Sequence, residues 1–401
     1  MRTTWNFFTA GHLMFGSDAA GQLGALLGRF RRQRWLIVAD PTLRDAGLVD
    51  RVRRPVVEAG MTVELCDAGE AEPSIDAAYR AIEQARAFEP EGLIGLGGGS
   101  NMDMAKILAA VLTHGGTPED YFGWDQVPSP VMPLACVPTT SGTGSEVSHA
   151  AVLTDTANQV KVSTLSNYLR PAVAVVDPQL TLSCPPKLTA DAGIDALTHA
   201  VEGFTATGAS QMDTPPGTWD PYDGSYPLGD ALAEKAIELV GQHLVTAVQE
   251  PENLAAREGM ALAATLGGMA FSNCGVALVH ALEYPVGGTV HCSHGQGNGL
   301  LLPYVMRFNL PACTGRLARV AQLLGEDVAG LTERQAAERA VAAVEQLQRD
   351  IGIPQRLSEI GVKAEHLPTF ATKAFAIKRL MKINPRPVVE SDLLDILQTA
   401  L

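Results

Sequence analysis

The chain has 401 residues, of which 46% are hydrophobic and 18% are charged, and its formal net charge at pH 7 is −14. This length exceeds what one hydrophobic core usually serves, so we expect two domains. The acidic balance and the lack of a long basic run argue against binding to nucleic acids and against a polybasic contact with a membrane surface.

The N-terminal stretch 1–16 contains one arginine but no sustained apolar core, so we predict no signal peptide. No run of about 18 uncharged apolar residues predicts a membrane span. Six cysteines are scattered along the chain without a C-x-x-C pair, a usage typical of reduced, buried thiols. These features predict a cytoplasmic protein with neither a membrane nor a nucleic-acid partner.

The first half of the chain alternates strand-like and helix-like patterns. Apolar or alternating runs that predict strands occur at 34–40, 61–66, 92–100, 131–140 and 172–178. Helical spacing occurs between some of them, at 74–88 and 101–112. Strands separated by helices of this length indicate a parallel sheet with helices on both faces.

The strand signal fades from about residue 187 onward. Amphipathic helices rich in Ala and Leu are predicted at 228–248, 253–271, 314–324 and 333–352. We therefore expect an α/β domain over residues 1–186 and an all-helical domain over residues 187–401. The segment 207–227, which is full of Gly, Pro, Asp and aromatic residues, predicts an ordered surface loop.

A glycine-rich loop, GLGGGSNMDMAK (95–106), joins a predicted strand to a predicted helix. Glycines allow backbone N–H groups to approach an anion closely, and the following helix presents its positive end to that anion. The loop therefore predicts a pyrophosphate cradle, although it matches neither G-x-G-x-x-G nor G-x-x-x-x-G-K-[ST]. A tight turn without a ligand is the alternative.

Two further features lie where the carboxyl ends of strands should gather, which is where open α/β sheets bind ligands. The loop PTTSGTGSEVS (138–148) concentrates hydroxyls and glycines, and a plain Ser/Thr-rich turn explains it less well than a dinucleotide does. Asp40 ends the strand 34–40, where its carboxylate could accept hydrogen bonds from a ribose diol and repel a 2′-phosphate, which favours NAD over NADP. An N-cap or turn role before Pro41 explains Asp40 equally well.

The stretch DAGIDALTHA (191–200) carries Asp195 and His199 on one face of a predicted helix, because residues four apart are neighbours there. His280, on an apolar helix, and His294, at a Gly-flanked turn, add two imidazoles. One carboxylate and three imidazoles suit Fe²⁺ or Zn²⁺ rather than Ca²⁺ or Mg²⁺, which prefer oxygen ligands. A capped aspartate and several hydrogen-bonded core histidines are the alternative interpretation.

Six stretches that cover much of the chain share one resemblance. They are GGGSNMDMAK, PTTSGTGSEVS, VDPQLTLSCPPKLTADAGIDALTHAVEGF, GMAFSNCGVALVHALEYPVGG, HCSHGQGNGLLLPYVM and NPR (384–386). In this order they resemble the iron-containing (group III) alcohol dehydrogenase family. The resemblance implies an N-terminal dinucleotide-binding α/β domain and a C-terminal all-helical metal- and substrate-binding domain, in agreement with the boundary placed after residue 186.

The resemblance also implies roles for individual residues. It implies metal ligands at Asp195, His199, His280 and His294; pyrophosphate contacts at Gly97, Gly98 and Ser100; other cofactor contacts at Asp40, Thr139, Thr140, Thr143 and Lys161; and a position near the substrate for Phe271. The short match around Lys161 is weaker than the others. The implied activity is reversible hydride transfer between NAD and an alcohol or aldehyde, with the metal as a Lewis acid, in a homo-oligomer that is commonly a dimer.

The sequence departs from the family pattern next to the third implied ligand. Many relatives carry a second histidine four residues after this ligand, where it can relay protons, but this chain has Tyr284. A tyrosine hydroxyl, with a pKa of about 10, suits proton relay at neutral pH less well. His291 is a candidate substitute, and simple packing explains both residues equally well.

Two other features point to a carboxylate substrate. Tyr284 and the long 207–227 segment resemble the hydroxyacid–oxoacid transhydrogenase branch of the family. The segment 373–386 has five basic residues and no acid, and it could bind a substrate carboxylate, although a basic run is more often a solvated helix face. A hydroxyacid–oxoacid transhydrogenase or a 4-hydroxybutyrate-type dehydrogenase is therefore the alternative function.

A dehydroquinate-synthase-like lyase, or a non-catalytic binding protein, is a third alternative, against which the intact ligand set and the cofactor loops argue.

Overall fold

The computed structural model describes residues 3–158, 160–214 and 220–401. Packing within the chain divides it into two compact units. The first unit spans Phe8–Cys184, and the second spans Pro185–Leu401 together with the N-terminal segment that ends at Phe7. The predicted boundary after residue 186 lies close to this division.

The N-terminal segment packs on the second unit, whereas the sequence assigned it to the first domain. The ring of Trp5 stacks on that of Tyr226 with centroids 4.4 Å apart. The backbone N–H of Asn6 donates a hydrogen bond of 2.6 Å to the carboxylate of Asp223. Contacts between residues so far apart along the chain leave no local pattern in the sequence.

Nine strands lie in the described part of the first unit. They are β1 (Leu13–Phe15), β2 (Arg34–Val38), β3 (Thr62–Cys66), β4 (Gly92–Gly97), β5 (Gly123–Trp124), β6 (Leu134–Pro138), β7 (Ala150–Asp155), β8 (Val160–Leu165) and β9 (Val173–Val176). The helices of this unit are α1 (Leu23–Gly28), α2 (Pro41–Asp45), α3 (Leu48–Glu58), α4 (Ile75–Phe88) and α5 (Gly99–His114).

Six strands form one sheet in the order β1-β9-β6-β4-β2-β3, with every pair parallel. The central strands of such a sheet are largely apolar because helices cover both faces. Alternate side chains of β2 accordingly enter different cores: Leu36 and Val38 pack with residues of α4 and α5, whereas Trp35 and Ile37 pack with residues of α1 and α3. The predicted parallel sheet with helices on both faces is confirmed.

Strands β2 and β4 are parallel neighbours in this sheet, but the chain continues from β2 toward one edge of the sheet and from β4 toward the other. After β2 it runs through α3, which packs on one face, and after β4 it runs through α5, which packs on the other. The reversal of strand order opens a crevice at the carboxyl ends of these two strands, where doubly wound sheets bind ligands. The glycine loop and Asp40 both lie at this point.

The sequence patterns missed β1 and a second sheet, in which β8 pairs with β5 in parallel and with β7 in antiparallel. The first of these strands has only three residues, too few for a period-two pattern to be recognised. Strands β7 and β8 follow a loop that we interpreted as a cofactor site, and their alternation of buried and half-buried residues is weak.

The second unit is helical in its described part, as predicted. Its helices are α6 (Pro186–Thr205), α7 (Pro227–Gln249), α8 (Leu254–Cys274), α9 (Leu278–Val290), α10 (His294–Asn309), α11 (Thr314–Leu323), α12 (Glu333–Ile351), α13 (Leu367–Phe375), α14 (Lys378–Ile383) and α15 (Glu390–Ala400). One apolar core contains residues from every one of these helices, and only their exposed faces lie outside it. Helices α6, α8 and α9 are buried along most of their length, so polar side chains on them need internal partners.

No single helix in the described residues is long and apolar enough to cross a membrane. The pair α8 and α9, bent by 104° at the break between them, passes the same test of length and composition when the two are taken together. Both helices form part of the core of the second unit, and buried core helices often meet such a test.

A buried lysine fixes the helix that follows the glycine loop. Lys106 on α5 is fully buried, and its Nζ donates hydrogen bonds to Ser145 Oγ and the Ala150 carbonyl at 2.7 Å and to Ser148 Oγ at 3.2 Å. Its Nζ also lies 3.7 Å from Asp103 Oδ1. Burial lowers the pKa of Lys106, and Asp103 opposes this effect. The ammonium group thereby ties α5 to the hydroxyl-rich loop 138–148.

We predict that Lys106→Met destabilises the protein by about 3 kcal/mol, since removing one partner of a buried ion pair costs roughly 3–5 kcal/mol. Urea denaturation followed by circular dichroism measures the change. Lys235→Met is the control, because Lys235 forms an exposed ion pair with Glu238, and such pairs contribute about 1 kcal/mol or less. Equal losses in the two variants would contradict a structural role for the buried ammonium.

Candidate metal centre and cofactor loops

Backbone geometry brings the predicted pyrophosphate and cofactor residues of the first unit together. Gly97, at the end of β4, has a φ of +138°, and a Cβ there would overlap the amide of Asn101. A Cβ on Gly99 would lie 2.8 Å from Cγ2 of Thr143. Only glycine therefore lets the loop after β4 approach the loop after β6 so closely.

The two loops are also joined by a hydrogen bond. The backbone N–H of Thr139 donates to the Gly97 carbonyl at 3.0 Å. Gly98 is the N-cap of α5 and is close to Thr140, and Ser100 is half-buried in the first turn of the same helix. The N-terminus of α5 thus faces a rim of hydroxyl groups, an arrangement that suits a phosphate group.

Asp40 adopts the capping role that the sequence left as an alternative. Its Oδ1 accepts hydrogen bonds from the backbone N–H groups of Thr42 at 2.9 Å and Leu43 at 3.3 Å, at the start of α2. Its Oδ2 accepts a hydrogen bond of 2.8 Å from the side-chain amide of Asn101. Asn101 follows the glycine loop, so this bond connects the ends of β2 and β4. The carboxylate is held rigidly, which is compatible with a ribose contact.

Lys161 lies on β8, in the second sheet of this unit. Only 4% of its side chain is exposed, and its Nζ forms an ion pair of 2.8 Å with Glu72. The buried ammonium therefore has a structural partner. Its contact with the cofactor stays a prediction.

Three of the four predicted metal ligands meet in the interior of the second unit. Asp195 lies on α6, His280 on α9, and His294 is the first residue of α10. One carboxylate oxygen and one nitrogen of each imidazole lie within 4.8 Å of one another. Asp195 and His280 are almost completely buried. Three electron-pair donors at this spacing could bind one cation.

The fourth predicted ligand, His199, lies one helical turn after Asp195 and borders this group. Its Nδ1 is 3.9 Å from Asp195 Oδ2. Its ring stacks on that of His280 with centroids 4.8 Å apart, and on that of Phe271 at 4.1 Å. The predicted substrate-lining residue therefore contacts a predicted ligand directly.

The amide of Asn298 lies where the three donor atoms converge. Its contacts indicate which atoms of the site can offer a lone pair to a metal. Its Nδ2 is 2.8 Å from Asp195 Oδ1, 3.2 Å from His280 Nε2 and 3.1 Å from His294 Nε2. Each of these three atoms can offer a lone pair, and Asn298 is fully buried. Carboxylate oxygen and imidazole nitrogen are the donors of Fe²⁺ and Zn²⁺ sites, so the residues fit such an ion.

The electrostatics keep the aspartate in its metal-binding form. Burial by itself raises the pKa of the Asp195 carboxyl. Positive charge on the imidazoles of His199, His294 and His280 outweighs this effect, and the pKa falls below its usual value. The ionised carboxylate is the form in which an aspartate binds a divalent cation.

Two glutamates that the sequence analysis missed hold two of the imidazoles. Glu202 Oε2 lies 2.6 Å from Nδ1 of His280, and Glu283 Oε2 lies 2.6 Å from Nδ1 of His294. Their spacing was a usable signal: Glu202 is two helical turns after Asp195, and Glu283 is one turn after His280. Asn298, one turn after His294, carried the same signal.

The start of α10 is fixed against α6, and this determines where His294 lies. Ser293 caps α10 by accepting a hydrogen bond from the N–H of Gln296, and its hydroxyl donates to Asp191 Oδ2 at 2.6 Å. A Cβ on Gly295 would overlap the carbonyl oxygen of Asp191. The glycine after the ligand therefore lets the two ligand-bearing helices approach each other.

The two proton-relay candidates differ in position. Tyr284 is buried, and its ring centroid is 6.2 Å from that of His294. His291 ends α9 with a φ of +55° and is exposed. The positions of these two residues do not show whether either transfers a proton, so both roles stay predictions.

The basic segment 373–386 contacts the flanks of the predicted 207–227 loop, of which residues 215–219 lie outside the described residues. Lys382 Nζ donates hydrogen bonds to the carbonyl of Asp213 at 2.9 Å and to Asp220 Oδ2 at 2.8 Å. The guanidinium of Arg386 donates to the Phe308 carbonyl at 2.8 Å. At least two of the five basic residues therefore have partners within the protein, which weakens the case for a substrate-carboxylate site.

A parallel sheet whose glycine-rich loop precedes a helix, in one unit, and a buried histidine–carboxylate set, in the other, are features expected of a metal-dependent dehydrogenase. Comparison with known families agrees. The sequence model of iron-containing alcohol dehydrogenase matches residues 10–178, and that of the C-terminal part of the Fe-containing alcohol dehydrogenase family matches residues 223–401. The chain belongs to the iron-containing alcohol dehydrogenase family.

Individual relatives agree over the whole length. The chain is 36% identical to an NAD-dependent methanol dehydrogenase of Bacillus methanolicus, over 99% of this chain and 100% of the relative. It is 38% identical to long-chain-alcohol dehydrogenase 1 of Geobacillus thermodenitrificans, over 96% and 94%. Its fold is similar to the crystal structure of a 1,3-propanediol oxidoreductase, with a TM-score of 0.92, 35% identity and coverage of 99% and 100%. The resemblance and the fold expected from the sequence are both confirmed.

We predict that Gly295→Ala pushes α10 away from α6, with a stability loss of about 1–3 kcal/mol from overpacking and reduced binding of Fe²⁺ or Zn²⁺. Urea denaturation and elemental analysis after dialysis against each metal measure the two effects. The control is Gly28→Ala, since Gly28 is also helical and no atom lies within 4 Å of its added Cβ. Unchanged metal content in the Gly295 variant would contradict the role given to this helix contact.

Proposed function

We propose that this protein is a metal-dependent NAD(H) oxidoreductase that interconverts a primary alcohol and an aldehyde by hydride transfer. The observation that carries the proposal is the convergence of donor atoms from Asp195, His280 and His294 in a buried site. We assign His199 as the fourth ligand because its ring borders the same site. We further propose Fe²⁺ as the resident ion, with Zn²⁺ as the alternative.

The ion, when bound, supplies Lewis acidity that polarises the oxygen of an alcohol or carbonyl group. The residues of the chain bind and orient the reactants. Gly97, Gly98 and Ser100 bind the cofactor pyrophosphate at the N-terminus of α5. Thr139, Thr140, Thr143 and Lys161 line the rest of the cofactor, and Asp40 accepts hydrogen bonds from the adenosine ribose.

On the substrate side, Phe271 presents an apolar ring beside His199, which suits an alkyl chain and excludes water. Tyr284, with His291 as the alternative, relays the proton that the substrate hydroxyl loses during oxidation: its oxygen accepts that proton as it passes its own proton on. Tyr284 is favoured for this role because it is buried and lies near His294, whereas His291 is exposed.

Small alcohols and aldehydes are the proposed substrate class. The named relatives act on methanol, long-chain alcohols and 1,3-propanediol, and the hydroxyacid or transhydrogenase alternative is not favoured. The partners of Lys382 and Arg386 within the protein agree with this choice. The proposal includes a cytoplasmic protein without nucleic-acid or membrane partners, supported by the net charge of −14 and by six buried cysteine thiols, and the homodimer is proposed from the family resemblance alone.

The central experiment supplies the metal-stripped protein with Fe²⁺ or Zn²⁺, NAD and, in turn, ethanol, 1,3-propanediol or 4-hydroxybutyrate. We expect free NADH with the alcohols, measured by its absorbance, and loss of turnover after chelation. His280→Ala should lower kcat/KM by more than the roughly 100-fold that outer-shell changes at metal sites cost. His366→Ala, which changes a histidine elsewhere in the second unit, should have little effect. Turnover with hydroxyacid plus oxoacid, but no free NADH from any alcohol, would support the transhydrogenase instead.

A second prediction concerns the choice of cofactor. Asp40→Ser should lower the preference for NAD over NADP about tenfold, equivalent to about 1.4 kcal/mol, because it removes a charge that repels the 2′-phosphate. Serine can still cap α2, so the fold is kept. Asp45→Ser removes the same charge from the other end of α2 and serves as the control. If both variants change the ratio of kcat/KM values equally, the effect is one of net charge and Asp40 does not contact the ribose.

A further inference from the structure

We propose that Glu283 is a positioning residue of the metal centre, whose buried carboxylate holds His294 so that its Nε2 faces the ion. This inference rests on the proposed metal centre and concerns a residue that binds neither metal nor substrate. The structural basis is the 2.6 Å contact between Glu283 Oε2 and His294 Nδ1.

His294 is the ligand that most needs such support. It is the first residue of α10, and 27% of its side chain is exposed, compared with 3% for His280. A side chain at a helix start with an open side has few packing contacts to fix its ring. The carboxylate of Glu283, which is fully buried on α9, supplies a fixed point for one edge of the ring.

The chemistry of the contact also determines which nitrogen is available. With Glu283 ionised, its carboxylate only accepts hydrogen bonds, and the 2.6 Å contact then requires Nδ1 of His294 to carry the proton and Nε2 to keep its lone pair. This Nε2 is 3.1 Å from Asn298 Nδ2, the same atom that lies 2.8 Å from Asp195 Oδ1. The Nε2 atom is therefore on the side of the ring that faces the other donors.

The surrounding structure is built around the glutamate. A Cβ on Gly297 would lie 2.8 Å from Cγ of Glu283, so the glycine leaves space that the glutamate side chain fills. The site also contains an internal parallel: Glu202 contacts Nδ1 of His280 at the same 2.6 Å and accepts the N–H of Val279 at 2.7 Å. Two carboxylates from different helices thus orient two imidazoles in the same way.

The test compares Glu283→Gln and Glu283→Asp with wild type and with Glu258→Gln, which changes an exposed glutamate on α8. Each metal-stripped protein is titrated with Co²⁺ against a competing chelator, and the visible absorption of the bound Co²⁺ and the thermal midpoint of the metal-free form are recorded.

We expect Glu283→Gln to weaken Co²⁺ binding 10- to 100-fold and to change its spectrum, because an amide can donate to Nδ1 and shift the proton to Nε2. Aspartate keeps the acceptor, so Glu283→Asp should lose less affinity than the glutamine variant, and Glu258→Gln should match wild type.

The outcomes separate this inference from the proposed function. If wild type binds no Co²⁺, the proposed metal centre fails, and this inference fails with it. If wild type binds Co²⁺ but Glu283→Gln has the same affinity and spectrum, only the role of Glu283 is overturned. A lower thermal midpoint of the metal-free variant with unchanged Co²⁺ affinity would show a merely structural residue and also overturn it. Should the glutamine variant not fold, Glu283→Asp decides. A loss of Co²⁺ affinity of up to 100-fold with a changed spectrum supports the orienting role, because the shorter carboxylate reaches His294 less well. An affinity and a spectrum identical to those of wild type overturn it.

Discussion

The burial of several electron-pair donors at one point is the constraint on which the second unit depends. A carboxylate and imidazole nitrogens lie within 4.8 Å of one another in an apolar core. Unpaired, such groups cost several kcal/mol each when removed from water, so they need a positive partner or hydrogen-bond donors. The amide of Asn298 donates to these atoms and satisfies part of this requirement, and a divalent ion would satisfy the rest. The packing of α6, α9 and α10 against one another serves to hold this arrangement.

Close approach of backbones is the common physical device in both units. In the first unit, glycines at the end of β4 let the glycine loop approach the loop 138–148. The ammonium of Lys106 ties the loop 138–148 to α5, the helix that follows the glycine loop. In the second unit, Gly295 lets α10 lie against α6. In each case a residue without a side chain permits the contact, and a buried polar group nearby fixes it.

The patterns that succeeded in the sequence were those with a local physical cause. The strands of the parallel sheet are apolar along their length because both faces are covered, and the helices of the second unit show their buried stripe. Asp195 and His199 were grouped because four residues make about one helical turn. The patterns that failed were either too short, as in β1, or depended on distant contacts, as in the stacking of Trp5 on Tyr226.

The sequence by itself determined the parallel sheet of the first unit, the helical second unit, the positions of the glycine loop and the loop 138–148, the candidate ligands and the family, because each is encoded in contiguous motifs. Only the tertiary structure decided which atoms meet: that Asp40 caps α2 and accepts from Asn101, that Lys382 is engaged by Asp220, and that Glu202 and Glu283 each hold an imidazole. Apart from the cap, these pairs join residues from different segments of the chain. Their distances follow from how the helices and strands pack, and packing depends on the whole core rather than on any one segment.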